Sequence, residues 1–269
     1  MNINNKIAVV TGGGRGIGRA LCRALTTAGA AHVAVADLDL NNAKAVAEEI
    51  GGSAYQVDVS QESEILSLIH QVQEQHGEID LFISNAGVGE LPPDPNNGAS
   101  QSNGVWERCW SVNVMAHVYA SRALIPQMIK RGDGYLVNVA SAAGLLSQIG
   151  DAAYSSTKHA AVGLAESLAI SHGDDGIKVS VVCPQYVATA LIGFDEDTQQ
   201  LAPDGVASHD SNNILSVEQA AAAIMQGIVD ERFMILTHPE VIEYVQHKAG
   251  NYDQWVGGMR KLRRAIRQS

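Results

Sequence analysis

The sequence predicts an α/β protein built on a doubly wound parallel sheet. Three observations carry that prediction. Strand-like apolar runs alternate with helical patterns almost from end to end, as βαβ units require. The strand segments are apolar on both faces, as expected where helices cover both sides of a sheet. The first of them runs into a glycine-rich turn, TGGGRGIGRA (11–20), that opens a helix. With 269 residues and 46% hydrophobic content, the chain can build one large core. It shows no internal repeat and no linker, so residues 1–269 read as a single domain.

KIAVV (6–10) is the first strand, followed by a helix from about Gly16 to Ala28 that Gly29 stops. HVAVA (32–36) leads to a helix near 41–50, ended by Gly51 and Gly52. YQV (55–57) precedes a helix from Ser60, whose hydroxyl suits an N-cap. IDLFI (79–83), YLVNV (135–139), KVSVV (178–182) and FMIL (233–236) complete seven strand candidates. Helical patterns lie near 105–130, 152–172 and 217–230. ELPPDPNNGASQSNG (90–104) is a loop, placed after the fourth strand where open α/β sheets form their binding crevice. A second irregular stretch, 190–213, reads as either a lid or a surface loop.

Composition excludes several classes. A net charge of −11 argues against nucleic-acid binding. The N-terminus, MNINNKIAVVTGGG, has no basic region leading into a long apolar core, so no signal peptide is expected. No apolar run approaches the ~20 residues that span a bilayer. Cys22, Cys109 and Cys183 lack CxxC spacing, which fits a reducing, cytoplasmic setting and no structural zinc. None of the nine histidines has a metal-ligand partner at helical spacing, so no metal is expected.

The glycine loop matches TGxxxGxG through Gly12, Gly16 and Gly18, not the commoner GxGxxG. Glycines allow a sharp turn and close approach to a pyrophosphate, and the new helix points free N–H groups at the anion. This points to a dinucleotide and a Rossmann-type fold. Asp37 ends the second strand, 19 residues beyond Gly18. An acid there can accept hydrogen bonds from both adenosine ribose hydroxyls and would repel a 2′-phosphate, favouring NAD over NADP. Arg15 pulls the other way, because a basic residue in the loop can reach a 2′-phosphate. Asp37 can equally be a turn or capping residue. YSSTK places Tyr154 and Lys158 four residues apart, on one face of a helix. A nearby ammonium favours a phenolate and lowers the ordinary tyrosine pKa of ~10.

Together these residues resemble the short-chain dehydrogenase/reductase family over nearly the whole chain. TGGGRGIG, with Ile17 between the last two glycines, is similar to its cofactor loop. VDVS carries Asp58 and Val59, similar to its adenine-contacting pair. SNAG (84–87) resembles its NNAG motif, with Ser84 in place of the first Asn. Asn113 falls where the family keeps a catalytic Asn, NVASAAG supplies Ser141, and YSSTK supplies Tyr154 and Lys158. CPQYVAT (183–189) resembles its PG motif, with Gln185 where glycine is usual.

The resemblance implies hydride transfer between NAD(H) and a secondary alcohol or ketone. Tyr154 would be the general base, Ser141 would orient the substrate oxygen, Lys158 would hold the nicotinamide ribose, and Asn113 would place a water linking Lys158 to solvent. Asn85, Ala86 and Gly87 would floor the cofactor site, with Pro184, Val187 and Thr189 near the carboxamide. It also implies a homo-oligomer, most simply a tetramer, built on the helices near 105–130 and 152–172. Leu145, Leu146, Leu191, Ile192 and Phe194 point to a hydrophobic or aromatic alcohol. Other readings are an NADPH-dependent carbonyl reductase, if Arg15 outweighs Asp37, and a regulator that senses NAD(H) without turnover. The tail, 251–269, crowds Arg260, Lys261, Arg263, Arg264 and Arg267 opposite a stripe of Trp255, Met259, Leu262 and Ile266. That is a helix whose stripe packs on its own chain, caps the pocket or meets a neighbouring subunit.

Overall fold

The computed structural model describes residues 1–195, 200–201 and 213–266. The elements follow in order: β1 (Ile7–Thr11), α1 (Gly16–Thr27), β2 (His32–Asp37), α2 (Leu40–Ile50), β3 (Ser53–Gln56) and α3 (Glu62–His76). Next come β4 (Leu81–Ser84), α4 (Asn103–Trp110), α5 (Ala116–Arg131), β5 (Gly134–Val139), α6 (Ala152–His172) and β6 (Ile177–Val182). After these lie the short antiparallel pair β7 (Phe194–Asp195) and β8 (Gln200–Leu201), then α7 (Val217–Val229), β9 (Met234–Ile235), α8 (Val241–Gly250) and α9 (Tyr252–Ile266).

Seven strands form one sheet in the order β3-β2-β1-β4-β5-β6-β9, every neighbouring pair parallel. The order reverses between β1 and β4, and such a switch point opens a crevice at the carboxyl ends of the strands. Alternate residues fill the two faces. Val9, Ala34, Phe82, Leu136 and Val179 pack against Leu68, Leu124 and Ala161 of α3, α5 and α6. Val10, Val35, Ile83 and Val137 pack against Leu21, Val46 and Ile224 of α1, α2 and α7 on the other face. Each large side chain so buried contributes roughly 1.5–3 kcal/mol relative to exposure.

Several boundaries differ from the sequence prediction. Ser60 does not cap α3; Gln61 holds that position without a side-chain cap bond. The Ser60 N–H is taken by Asp58 Oδ1 (2.9 Å), and its hydroxyl accepts from Gln61 Nε2. The third strand begins two residues before YQV and ends at Gln56. The pattern near 105–130 is not one helix. A π-helical turn, Ser111–Met115, separates α4 from α5, and Ser102 N-caps α4 just inside the predicted loop.

The tail is helical, but no residue of α9 is buried. Trp255, Met259 and Ile266 are half-buried, while Leu262 is 49% exposed. Arg263, expected on the basic face, is half-buried instead and donates to the Pro95 carbonyl (3.3 Å). The predicted stripe is thus met at three of its four positions, with Leu262 and Arg263 departing from it, and Arg267 lies outside the described residues. No helix among the described residues is long and apolar enough to cross a membrane.

Candidate active site

The glycine loop joins β1 to α1 at the switch point. Gly12 (φ +62°) and Gly16 (φ +53°) lie in the left-handed region that favours glycine. Gly18 is needed for close approach: a Cβ there would sit 2.0 Å from the Gly12 carbonyl oxygen. Gly13 N–H donates to Ala36 O (3.0 Å), fixing the loop against β2. Arg15 occupies the N-cap of α1 with no side-chain cap bond, and the first turn holds no acid. That leaves first-turn N–H groups facing outward beneath a glycine cradle, which fits a dinucleotide pyrophosphate. Arg15 is exposed and Ile17 half-buried against the core.

Asp37 reaches the same loop. Its Oδ2 accepts from Gly14 N (2.9 Å) and its Oδ1 from Asp39 N (3.0 Å). Asp39, not Asp37, is the N-cap of α2, accepting from Asn41 N and Asn42 N. Each Asp37 oxygen keeps a second lone pair for a ligand hydroxyl. Asp58 is held locally by its bond from Ser60 N, and Val59 is buried in the core.

At the end of β4, Asn85 Nδ2 donates to the carbonyls of Thr11 (2.9 Å) and Gly12 (3.2 Å). Thr11 Oγ1 in turn accepts from Asn85 N and Ala86 N. The ends of β1 and β4 are thereby locked across the crevice. Gly87 follows, where a Cβ would lie 3.3 Å from Lys158 Nζ and 3.4 Å from Asn113 Oδ1.

Asn113 sits in the π-helical turn with its whole amide committed. Oδ1 accepts from Val88 N (2.9 Å), and Nδ2 donates to Val88 O (2.8 Å) and Thr157 Oγ1 (3.1 Å). Its side chain pins the strand-β4 loop to α6. Lys158 is buried, donates to Val139 O (3.1 Å) and lies 5.6 Å from the Tyr154 ring centroid. Ser141, two residues beyond β5, hydrogen-bonds with the Tyr154 phenol and donates to Pro184 O (3.4 Å).

The electrostatics of the site run against the simple expectation. Burial pushes the Tyr154 phenol up to about 12; the Ser141 hydrogen bond opposes this, and Asp151 adds to it. Burial likewise pulls Lys158 down to about 8. The lysine stands 5.6 Å from the ring centroid, yet the phenol is raised and not lowered as the spacing predicts. Its ammonium is turned to the Val139 carbonyl, and desolvation outweighs it.

Beyond β6, Pro184 O accepts from Ala142 N (2.8 Å), joining this segment to Ser141. Val187 is buried and bridges Leu215, and Thr189 Oγ1 donates to Val187 O (3.3 Å). Gln185 Oε1 is buried without a partner among the described residues. A Cβ on Gly89 would meet both Tyr154 Cδ2 (3.1 Å) and Leu191 Cδ1 (3.7 Å), which sets Leu191 near the phenol. Leu145, Leu146, Ile192 and Phe194 are half-buried and Leu191 is 46% exposed. Positions 196–199 and 202–212 of the predicted lid lie outside the described residues.

The family model for short chain dehydrogenases matches residues 6–200. The chain belongs to the short chain dehydrogenase family. It is 32% identical over 193 residues to a D-beta-hydroxybutyrate dehydrogenase of Rhizobium meliloti, covering 70% of this chain and 73% of that one. It is 31% identical over 204 residues to a cyclohexanol dehydrogenase of an Acinetobacter species, covering 74% and 79%. A short chain dehydrogenase/reductase from Burkholderia phymatum, solved in complex with NAD, superposes with a TM-score of 0.80 at 26% identity, over 94% of this chain and 96% of that one.

The structure of this short chain dehydrogenase adds residues that motif reading missed. Thr11 and Thr157 hold Asn85 and Asn113 in place. Thr11 ends a strand and Thr157 lies inside YSSTK, so each was present in a motif without a role. His117, one turn after Asn113, is buried with neither ring nitrogen hydrogen-bonded among the described residues. Burial first, then the Lys158 charge, pulls its pKa down to about 3, so it is neutral.

Proposed function

We propose that this short chain dehydrogenase transfers hydride between NAD(H) and a secondary alcohol or ketone. The observation that carries this reading is the meeting of Ser141, Tyr154 and Lys158 beside the glycine cradle, at the carboxyl ends of the central strands. Bound NAD would supply the hydride acceptor. The chain's own residues do the rest. Gly12, Gly16 and Gly18 admit the pyrophosphate, and Asp37 accepts from the adenosine ribose hydroxyls. Asp58 and Val59 flank the adenine, while Asn85, Ala86, Gly87, Pro184, Val187 and Thr189 line the nicotinamide end.

Tyr154 takes the hydroxyl proton of an alcohol or returns it to a ketone. Ser141 donates a hydrogen bond to the same oxygen and holds it in line. Lys158 supplies the positive charge that offsets phenol burial. Asn113 holds the loop after β4 against α6, so that Gly87 and Lys158 stay adjacent. Leu145, Leu146, Leu191, Ile192 and Phe194 support a hydrophobic substrate, and the similarity to a cyclohexanol dehydrogenase supports an alicyclic alcohol. The exposure of Arg15 favours one second reading, reduction of a ketone with NADPH.

The test is reduced-cofactor formation with a panel of alicyclic and aromatic secondary alcohols, each run with NAD and with NADP. Turnover with NAD at least about tenfold above NADP is expected from charge repulsion at Asp37. Turnover mainly with NADP would transfer the choice to Arg15.

We also propose that the chain assembles as a homotetramer through α5 and α6. A surface groove between those helices is lined by Val118, Ile125, Pro126, Leu164 and Leu168, and Ile170 nearby is 84% exposed. Light scattering should give a four-chain mass, and Ile170→Asp should lower it; a monomeric wild type would refute the assembly.

A further inference from the structure

We propose that Asp151 is a positioning residue for Tyr154: its carboxylate holds the first turn of α6 and ties it, through Gln101, to the loop that follows β4. The inference rests on Tyr154 being the base, as read above.

Asp151 lies three residues before Tyr154 and is the N-cap of α6. It is 5% exposed. Its Oδ1 accepts from Tyr154 N (3.0 Å) and from Gln101 Nε2 (2.9 Å). The same Gln101 nitrogen donates to the Glu90 carbonyl (2.9 Å), so its two hydrogens bridge loop and helix. Gln101 is 6% exposed, and its Oε1 has no partner among the described residues. A third tie, Ala152 N to Gly98 O (3.2 Å), runs alongside. The loop over 90–102 and the start of the helix that carries Tyr154 are therefore tied at three hydrogen bonds.

A cap alone does not call for this residue. Serine or asparagine would cap as well, and a buried carboxylate costs more to desolvate than either. The charge has a neighbour to act on. The groups that act on the Tyr154 phenol are the Ser141 hydroxyl, which lowers it, and Asp151, Cys109 and Cys183, which raise it, while the Lys158 ammonium of the same helix stands 5.6 Å from the ring centroid. Asp151 itself faces Gln101, Tyr154 N, Glu90 and Cys109. Burial pushes the Asp151 carboxyl up, and where it is ionised its charge favours the protonated phenol. One side chain thus orients the helix that carries the base and sets the charge balance around it.

The variants separate the two effects. Asp151→Asn keeps an acceptor at Oδ1 and removes the charge. In the NAD-bound enzyme, the ascending limb of kcat/KM for alcohol oxidation should move down by about half a pH unit or more. The tyrosinate absorbance that is absent from Tyr154→Phe should appear at correspondingly lower pH. Asp151→Ala also removes the cap, and kcat should fall about tenfold or more while the NADH Kd stays within about twofold. A folded Asp151→Ala enzyme with wild-type kcat would overturn the inference; if Asp151→Ala fails to fold, Gln101→Ala, which removes only the tie to the loop, should lower kcat with the NADH Kd unchanged, and wild-type kcat there would overturn it. If Tyr154→Phe is inactive in that case, the base assignment stands and only the role of Asp151 is lost. Wild-type turnover in Tyr154→Phe would overturn both.

Discussion

Replacing Tyr154 with Phe is expected to lower kcat by about 10²–10⁴-fold while leaving the fold and NADH binding close to wild type. The substitution removes one hydroxyl from a half-buried ring and leaves the Lys158 bond to Val139 O untouched. The loss should therefore fall on the proton-transfer step. The pH dependence has a defined sign. Oxidation needs the phenolate, so its rate should climb with pH; reduction needs the phenol, so its rate should fall. Burial holds the phenol at about 12, protonated at neutral pH. Any working pKa near neutrality must come from the positive charges of Lys158 and the bound oxidised cofactor. Steady-state kinetics in both directions, with fluorescence titration of NADH, checks each part. Turnover within a fewfold of wild type would remove Tyr154 from the mechanism.

Gly18→Ala should be the most damaging conservative change in the cradle. Its added Cβ would lie 2.0 Å from the Gly12 oxygen and 2.7 Å from Asn85 Nδ2. The first atom is backbone, held in a turn with positive φ at Gly12, and cannot swing aside. Overpacking of this kind costs roughly 1–3 kcal/mol. It exceeds the ~1 kcal/mol that alanine gains over glycine inside a helix. The loop must open to admit the methyl group, so NADH affinity should fall about tenfold or more. Gly257 in α9 is the control, because a Cβ there meets nothing within 4 Å. Gly257→Ala should leave NADH affinity alone and stabilise α9 slightly. Thermal unfolding and NADH titration of the two variants decide this. Equal behaviour would mean that Gly18 has no special packing role.

What the sequence reveals, and what it hides, follows from range. The strands were legible because each is a short apolar run with helices on both faces, and the glycine loop because positive φ and close approach demand glycine at fixed spacing. The π-helical turn was hidden, since one extra residue inside a continuous helical pattern leaves no compositional mark. Asp151 was hidden for another reason: its bond to Gln101 joins residues 50 apart, and no local pattern carries such a contact. Asn113 was found by motif, but its commitment to Val88 and Thr157 depends on how α6 meets the loop after β4. In the tail, Trp255, Met259 and Ile266 turn inward as the stripe predicts, but the inward place of Arg263 joins it to Pro95, a contact between residues 168 apart that no helical wheel contains.

The parallel sheet has a consequence for how the molecule comes into being. None of its seven strands pairs with a neighbour through a tight hairpin, and β4 must find β1 across the whole of β2 and β3. Contacts so distant along the chain close large loops before they return any packing energy, which slows folding. The proposed site draws on the ends of six of those strands, from Thr11 to Thr189. Helices can form early in such a chain, but a half-assembled sheet has neither a cradle nor a base beside it. Catalytic competence is therefore a property of the last crossovers to settle, not of any fragment that forms on the way.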